Sequence, residues 1–394
     1  MKLKPVLICV QPTIKYFAWQ IEVMLTNFKS LGLHNHFNID ILFAYNDTLP
    51  TCKTDISWGK AVEDKFTDVA SFHYYNDTRE NISYISSIRP HILKKHFKEF
   101  PELSKRVIFY HDCDILFTKF PEFILNLSDD DDNWYVSDTK SYIGYNYIKS
   151  KGDDVLESMC KIVGVHPDFV KEREEQSGGA QYILKGLDWV FFDKMERDCE
   201  NLFRNITQLN NQKKQIDPTH HELQIWCADM WAILWNGWLR GYKTNIISEM
   251  DFVWATDSIE KYQEKYIFHN AGVTESNREQ IFFKGDYRDK LPYSIADTYD
   301  QSKASYKYFQ VLKSVTDSNL PVKEVYENLV ASYPPDVLKD EMKEKAYERL
   351  KICLPCIEFN NINGHYRCNK CGCSTKAKVF MGTQNDCPES KWKV

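Results

Sequence analysis

Short apolar runs alternate with amphipathic stretches along the first two thirds of the chain. Val6-Leu7-Ile8-Cys9-Val10 is unbroken by polar residues, the pattern of a strand buried on both faces. Phe17, Ile21, Met24, Leu25 and Phe28 then mark one face of a helix. Phe37 to Tyr45 predicts a second strand, and Ile82 to Phe97 a further helix, with Pro90 in its early part or separating a short turn from it. Val107-Ile108-Phe109-Tyr110 predicts a strand that enters His111-Asp112-Cys113-Asp114, and Ile115-Leu116-Phe117 leaves it. After an acidic loop, Asp129 to Asp132, strand character resumes at Trp134-Tyr135-Val136. Residues 151 to 245 read as mostly helical, broken at Ser177-Gly178-Gly179 and in the polar loop 208 to 216. Tyr266-Ile267-Phe268 predicts a short strand ahead of His269-Asn270-Ala271-Gly272. Strands and helices in this order imply an α/β fold, a mixed and mainly parallel sheet flanked by helices. Beyond about residue 300 charged helices take over, the last marked by Leu338, Met342, Ala346 and Leu350.

Composition narrows the function classes. With 43% hydrophobic and 14% aromatic residues in 394, the chain can bury a sizeable core, which excludes a disordered or collagen-like protein. Its 50 basic and 56 acidic residues leave a net charge of −6, so a general polyanion binder is excluded and any nucleic-acid contact is local. No stretch approaches the ~20 apolar residues of a membrane span, and Val6 to Val10 is too short for a signal-peptide core. The expectation is a cytoplasmic protein that does not engage a membrane. Of its 12 cysteines, six (Cys353, Cys356, Cys368, Cys371, Cys373 and Cys387) crowd the end of the chain. Without a secretion signal, clustered pairs of this kind suggest metal rather than disulfides.

Asp112 and Asp114 are the first candidates for chemistry. Two carboxylates at i and i+2 on an extended segment point to one side and can engage one divalent cation. Such a cation neutralises a diphosphate and stabilises it as a leaving group. The same spacing recurs in Asp129 to Asp132, where a polar loop makes it solvated charge. Asp112 and Asp114 differ because they interrupt an apolar strand, where unpaired carboxylates are expensive.

The segment Tyr110-His111-Asp112-Cys113-Asp114-Ile115-Leu116-Phe117 resembles the DxD element of GT-A-fold glycosyltransferases, which use nucleotide-sugar donors and usually Mn²⁺. Ser86-Ser87-Ile88-Arg89-Pro90 is similar to the helix that places a basic residue near the donor. Ser177-Gly178-Gly179-Ala180-Gln181-Tyr182 resembles the sugar-facing segment of the hydroxyproline arabinosyltransferase and peptidyl-serine galactosyltransferase group. Phe268-His269-Asn270-Ala271-Gly272, with Lys284 twelve residues past Gly272, is similar to the HxxG…K element of family 8, whose histidine completes the metal site. The resemblance covers about residues 5 to 290. It implies that Asp112, Asp114 and His269 hold Mn²⁺ or Mg²⁺, that Gly178, Gly179 and Gln181 face the sugar, and that Arg89 and Lys284 lie near donor phosphate.

Elementary chemistry fits these roles. A neutral imidazole suits Mn²⁺ beside oxygen ligands, and Gln181 offers donor and acceptor to sugar hydroxyls. Taken alone, Ser177 could instead cap a helix and Arg89 could make a structural ion pair. Gln11, Thr13 and Tyr16 follow the first strand, where an open α/β sheet places its ligand crevice, so they are candidates for nucleotide contact, with Asp47 after the second strand. His221 to Trp231 reads as an apolar helix carrying Glu222 and Asp229 on one face. Burial would raise the pKa of Asp229, as a general base for an acceptor hydroxyl requires. The competing expectation pairs Asp229 with Arg240 or a backbone amide.

Cys353-x2-Cys356 and Cys368-x2-Cys371 have the spacing of the paired knuckles of a zinc ribbon, with Cys373 and Cys387 as a rival ligand set and Gly364 and Gly372 as turn residues. Residues 353 to 394 carry six Lys/Arg and three Asp/Glu, which suits a structural clip or docking module, or a local nucleic-acid contact. The expected organisation is a catalytic domain over 1–300, a helical connector over 301–352 and a zinc module over 353–394. The expected activity is transfer of a sugar from a nucleotide-diphosphate sugar, UDP-linked, to a hydroxyl of a glycan, protein or modified nucleic acid. The alternatives are an enzyme glycosylating hydroxylated DNA bases and a nucleotidyl- or phosphotransferase using the same aspartates.

Overall fold

Every residue from Val6 to Val10 is buried, because the first strand lies inside a sheet covered on both faces. The computed structural model describes residues 3–46, 54–127, 133–289, 291–292, 295, 297–318, 322–334, 336–354, 359–362, 365–381, 387–388 and 392. Asp47, the loop Asp129 to Asp132, Cys356 and Gly364 lie outside them. Two compact units result, Met1–Ala271 and Gly272–Val394.

The first unit holds strands β1 (Val6–Pro12), β2 (Asn38–Tyr45), β3 (Ser71–Asn76), β4 (Ile108–His111), β5 (Ile115–Phe117), β6 (Asn133–Asp138), β7 (Gly178–Leu184), β8 (Lys243–Ile246), β9 (Phe252–Trp254) and β10 (Ile267–His269). Seven form one sheet in the order β3-β2-β1-β4-β7-β6-β8, and β5-β10-β9 form another. Within the large sheet β2–β3, β1–β2, β1–β4 and β6–β8 run parallel, while β7 is antiparallel to both β4 and β6. This is the mixed, mainly parallel α/β fold expected from the sequence.

The pleat of β1 divides the core. Leu7 and Cys9 join Ala18, Ile21 and Leu25 of helix α1 (Lys15–Ser30) and Val62 of helix α2 (Ile56–Phe66). Val6, Ile8 and Val10 join Ile88, Ile92 and Leu93 of helix α3 (Ile88–Glu99) and Phe191, Phe192 and Leu202 of the long helix Trp189–Ile216. α3 is tied to the long helix by Lys94–Glu196 at 2.6 Å and His91–Glu196 at 2.9 Å, and the turn before it by Ser87–Glu200 at 2.5 Å.

Several elements depart from the sequence pattern. The helix expected over Ile82 to Phe97 begins at Ile88, after a 3-10 turn at Ile85–Ser87. Pro90 then sits in the first turn, where its missing N–H has no intrahelical partner to lose. β7 and β8 occupy a region expected to be helical. Tyr182-Ile183-Leu184 is apolar on both faces because β7 lies inside the sheet, a pattern that periodicity does not separate from a buried helix. Ser177 therefore closes the 3-10 turn Glu174–Gln176 and leads into a strand, and it starts no helix. His221 to Gln224 is not helical either; the helix starts at Ala228, so Glu222 and Asp229 do not share a helical face. Glu222 pairs instead with Lys214 at 2.9 Å.

The second unit contains the helices Ser305–Ser318, Val322–Ala331, Asp340–Cys353 and Thr375–Met381 and a ribbon of β11 (Phe359–Ile362) with β12 (His365–Cys368). Val325, Leu329, Ala346 and Leu350 share one core with Phe359, Val379, Phe380 and Trp392, so the cysteine-rich tail packs on the helices before it. No described helix is long and apolar enough to cross a membrane.

Candidate active site

β2 and β3 lie on one side of β1, and β4 on the other. Where strand order reverses in this way, the flanking connections leave in opposite directions and a crevice opens at the carboxyl ends of the strands. Asp112 directly follows β4 at that point. Residues 112–114 form a turn rather than the extended segment expected, and β5 departs from it into the small sheet. There β10 pairs antiparallel with β5, setting His269 opposite Ile115. That register brings the backbone N–H of Asn270 to donate to the carbonyl of Asp114 at 2.9 Å.

The result is a convergence of three donor groups. His269 Nε2 lies 3.4 Å from Asp114 Oδ1 and 3.8 Å from Asp112 Oδ2, and the three ligand atoms fall within 4.8 Å of one another. The imidazole is held by the edge of Phe252 and by Trp254, whose ring is 6.2 Å away and tilted by 15°. Two carboxylates and an imidazole are a fitting set for Mn²⁺ or Mg²⁺, with positions left for phosphate oxygens. Buried polar atoms without a protein partner also gather around this turn: Asn270 Nδ2 and Oδ1, His269 Nδ1 and the hydroxyl of Tyr110. Buried polar groups are nearly always paired, so these atoms are places where a water, an ion or a ligand group would bind. His111 contributes no charge: burial depresses its pKa to about 4, outweighing the Asp112 carbonyl 2.8 Å from its Nδ1, which favours the cation.

Arg89 joins this turn to a second carboxylate. Its Nη1 is 3.2 Å from Asp112 Oδ1 and 3.2 Å from Asp229 Oδ2. Tyr84 approaches Asp229 Oδ1 with its hydroxyl at 2.7 Å. Burial raises the pKa of Asp229, with Arg89 and Tyr84 acting in the opposite direction. Arg89 itself is held firmly charged: burial disfavours the cation, and Asp112 and Asp229 outweigh it. The expected Asp229–Arg240 pair does not form, since Arg240 meets Asp188 at 2.9 Å. Tyr84 is the neighbour that sequence patterning missed, and it lies in no spacing that would mark it; Asn270 sat inside the His269–Gly272 element without a role of its own.

Gln181 is fully buried in β7, accepts from the Ser137 hydroxyl at 3.0 Å and leaves Nε2 without a protein partner. A Cβ on Gly178 would stand 2.4 Å from Val136 Cγ2, and one on Gly179 2.4 Å from the Tyr182 hydroxyl, so both glycines are required by packing where the β6–β7 register shifts. Gln11 is buried at the end of β1, while Thr13 spends its hydroxyl on the Ala44 carbonyl at 3.1 Å. Tyr16 packs edge-on against Phe17 and Trp19 in the first turn of α1. Lys284 belongs to the second unit, in the 3-10 turn Lys284–Tyr287. Beside His269, Phe252 and Trp254 form one wall of a cleft of about 640 Å³ also lined by Asp138, Lys140, Lys261 and Lys265.

In the second unit Cys353 ends a helix and Cys368 ends β12. Gly372, at φ +68°, closes a tight turn in which its N–H donates to the Cys368 carbonyl at 2.7 Å. Burial works against the Cys371 thiolate, yet a backbone hydrogen bond at Cys373 and Lys378 Nζ at 3.1 Å bring its pKa down to about 7. Cys371 and Cys373 are exposed, Cys387 is partly buried, and no described cysteine is in a disulfide.

No family model and no curated protein matches the chain. Among solved structures, it is similar to the apo form of WbbM, a bifunctional glycosyltransferase, with a TM-score of 0.43, 11% identity, and coverage of 79% of this chain and 52% of that one. The chain thus spans about half the length of WbbM. It is also similar to the galactosyltransferase LgtC in complex with donor and acceptor sugar analogues, with a TM-score of 0.37, 12% identity and coverage of 78% and 95%. A glycosyltransferase involved in glycosylation of the major capsid of PBCV-1 gives a TM-score of 0.32, 9% identity and coverage of 70% and 97%. Overlaps this small leave the reading of the site to its own geometry.

Proposed function

We propose that the chain is a metal-dependent glycosyltransferase of GT-A type, moving a sugar from a UDP-linked donor to an acceptor hydroxyl. The observation that carries this reading is the convergence of Asp112, Asp114 and His269 on one point at the carboxyl end of β4. These three residues would hold Mn²⁺, which when bound neutralises the donor diphosphate and eases its departure. Arg89, fixed on α3 beside Asp112, supplies a second positive charge to the leaving group.

Asp229 acts through Arg89. Its two oxygens face Tyr84 and Arg89, so its role is to position Arg89 rather than to act as a base. Gln181 offers its unpartnered amide N–H to a sugar hydroxyl, and Gln11 and Tyr16 border the nucleotide. The cleft beside His269 suits a sugar-like acceptor: Phe252 and Trp254 supply apolar surface, and charged residues around them supply donors and acceptors. In the tail, Cys353, Cys356, Cys368 and Cys371 hold structural zinc, with Cys373 and Cys387 as the rival ligands.

A thermal-shift screen of nucleotide sugars with and without Mn²⁺ tests the reading. A UDP-sugar at about 100 times its Kd stabilises the fold by ~2.7 kcal/mol when Mn²⁺ is present, and little without it. Equal stabilisation in the absence of a divalent ion would reject the metal-diphosphate site.

A further inference from the structure

A second group of metal-type donors lies farther along α3. Asp40 of β2, His73 of β3 and His96 of α3 each place one ligand atom within 4.8 Å of the others. Strand register explains the meeting. His73 stands opposite Leu42, two residues from Asp40, so Asp40, Leu42 and His73 share the sheet face that α3 covers. Arg89 and His96 are seven residues apart, about 10 Å along the helix, which separates this group from the Asp112 turn.

Hydrogen bonding fixes the tautomer of His96. The Tyr75 hydroxyl has a single proton, and the Glu99 carboxylate 3.0 Å away can only accept it. Tyr75 must therefore accept from His96 Nδ1–H at 2.9 Å. A neutral His96 is left with an unprotonated Nε2, which is buried without a hydrogen-bond partner and 3.8 Å from Asp40 Oδ2. His73 Nε2 stands 3.9 Å from Asp40 Oδ1. Among the described residues no Lys or Arg pairs with Asp40. Lone pairs of imidazole and carboxylate that face one another without a proton or cation between them repel. The chain His96–Tyr75–Glu99 is also the outer support typical of a metal-bound imidazole, in which the second ring nitrogen donates away from the ion.

We infer that Asp40, His73 and His96 form a zinc site distinct from the diphosphate site. Two imidazoles and one carboxylate favour zinc over Mg²⁺, with water as the fourth ligand on the side where His73 and Asp40 reach solvent. Tetrahedral zinc with ~2.0 Å bonds holds its ligands ~3.3 Å apart, so binding draws these three inward. The ion ties edge strand β3 to α3, the helix that carries Arg89.

Zinc content per chain, measured after equilibrium dialysis of the full-length protein against buffered Zn²⁺, tests the site. The Asp40→Asn/His73→Gln double variant should retain one zinc fewer than the wild type. In the wild type, the ring ¹⁵N resonance of His96 Nε2 should shift as that zinc is added. Equal zinc content in wild type and variant would overturn the assignment. So would a His96 ring protonated on both nitrogens and unmoved by zinc, an outcome read on the wild type even if the variant misfolds.

Discussion

Arg89 Nη1 lies 3.2 Å from Asp112 Oδ1, which locks the first turn of α3 onto the end of β4. The same nitrogen reaches Asp229, 140 positions farther along the chain, so a charge at the start of the Ala228–Leu239 helix sets the position of a cation beside the proposed diphosphate. Each link in this path can be cut separately.

Asp229→Asn keeps a partner for Tyr84 and removes the charge that holds Arg89. Turnover of the nucleotide sugar should fall about 10- to 100-fold, as for other supports behind a metal ligand, with Mn²⁺ affinity little changed. The pH dependence of the residual rate should keep its shape. Loss of the acidic limb of the kcat profile would show instead that Asp229 is the general base.

Arg79 steadies the entrance to α3, donating to the Ser87 hydroxyl at 2.6 Å and to the Ile85 carbonyl at 3.0 Å. It is buried with Asp77, 2.8 Å away. Burial alone would raise the Asp77 pKa, but the hydrogen bonds and charge of Arg79 hold it below 3.8. Asp77→Asn leaves a buried cation unpaired and should destabilise the fold by about 3–5 kcal/mol at neutral pH. Because the folded-state pKa is depressed, this stabilisation is present above 3.8 and is lost as pH falls through the folded value. Urea denaturation at neutral and strongly acidic pH should show the wild-type advantage shrinking on acidification.

The Cys371 thiol, at about 7, is the most readily ionised of the described cysteines with a resolved shift, whereas burial pushes Cys160 up to about 12. In reduced, metal-free protein iodoacetamide should label Cys371 well before Cys160, half-maximally near pH 7. Added zinc should suppress the labelling. Unprotected Cys371 at saturating zinc would remove it from the ligand set.

Much of the fold was legible because burial leaves a direct trace in sequence. β1, β2 and β4 are central and parallel, so their apolar runs are nearly continuous. β3 left no trace: it is an edge strand, partly exposed along Ser71–Asn76, and His73, Tyr74 and Tyr75 read as an ordinary polar-aromatic stretch. β7 was hidden for the opposite reason, since a strand buried on both faces has no alternation. At the site, Asp112, Asp114 and His269 stood out through motif and context, and the structure brings them together. The partners of Arg89 and the Asp40–His73–His96 group were not readable, because each depends on register between segments remote in sequence.

The central claim is that Asp112 and Asp114 hold the ion under a sugar nucleotide's diphosphate. Phosphorus NMR of the products formed from UDP-sugars with Mn²⁺ tests it most directly, comparing the wild type with Asp112→Asn and Asp114→Asn variants shown by circular dichroism to be folded. The account predicts release of UDP by the wild type and none by either variant. Undiminished metal-dependent release by both variants, or pyrophosphate as the product, would contradict it.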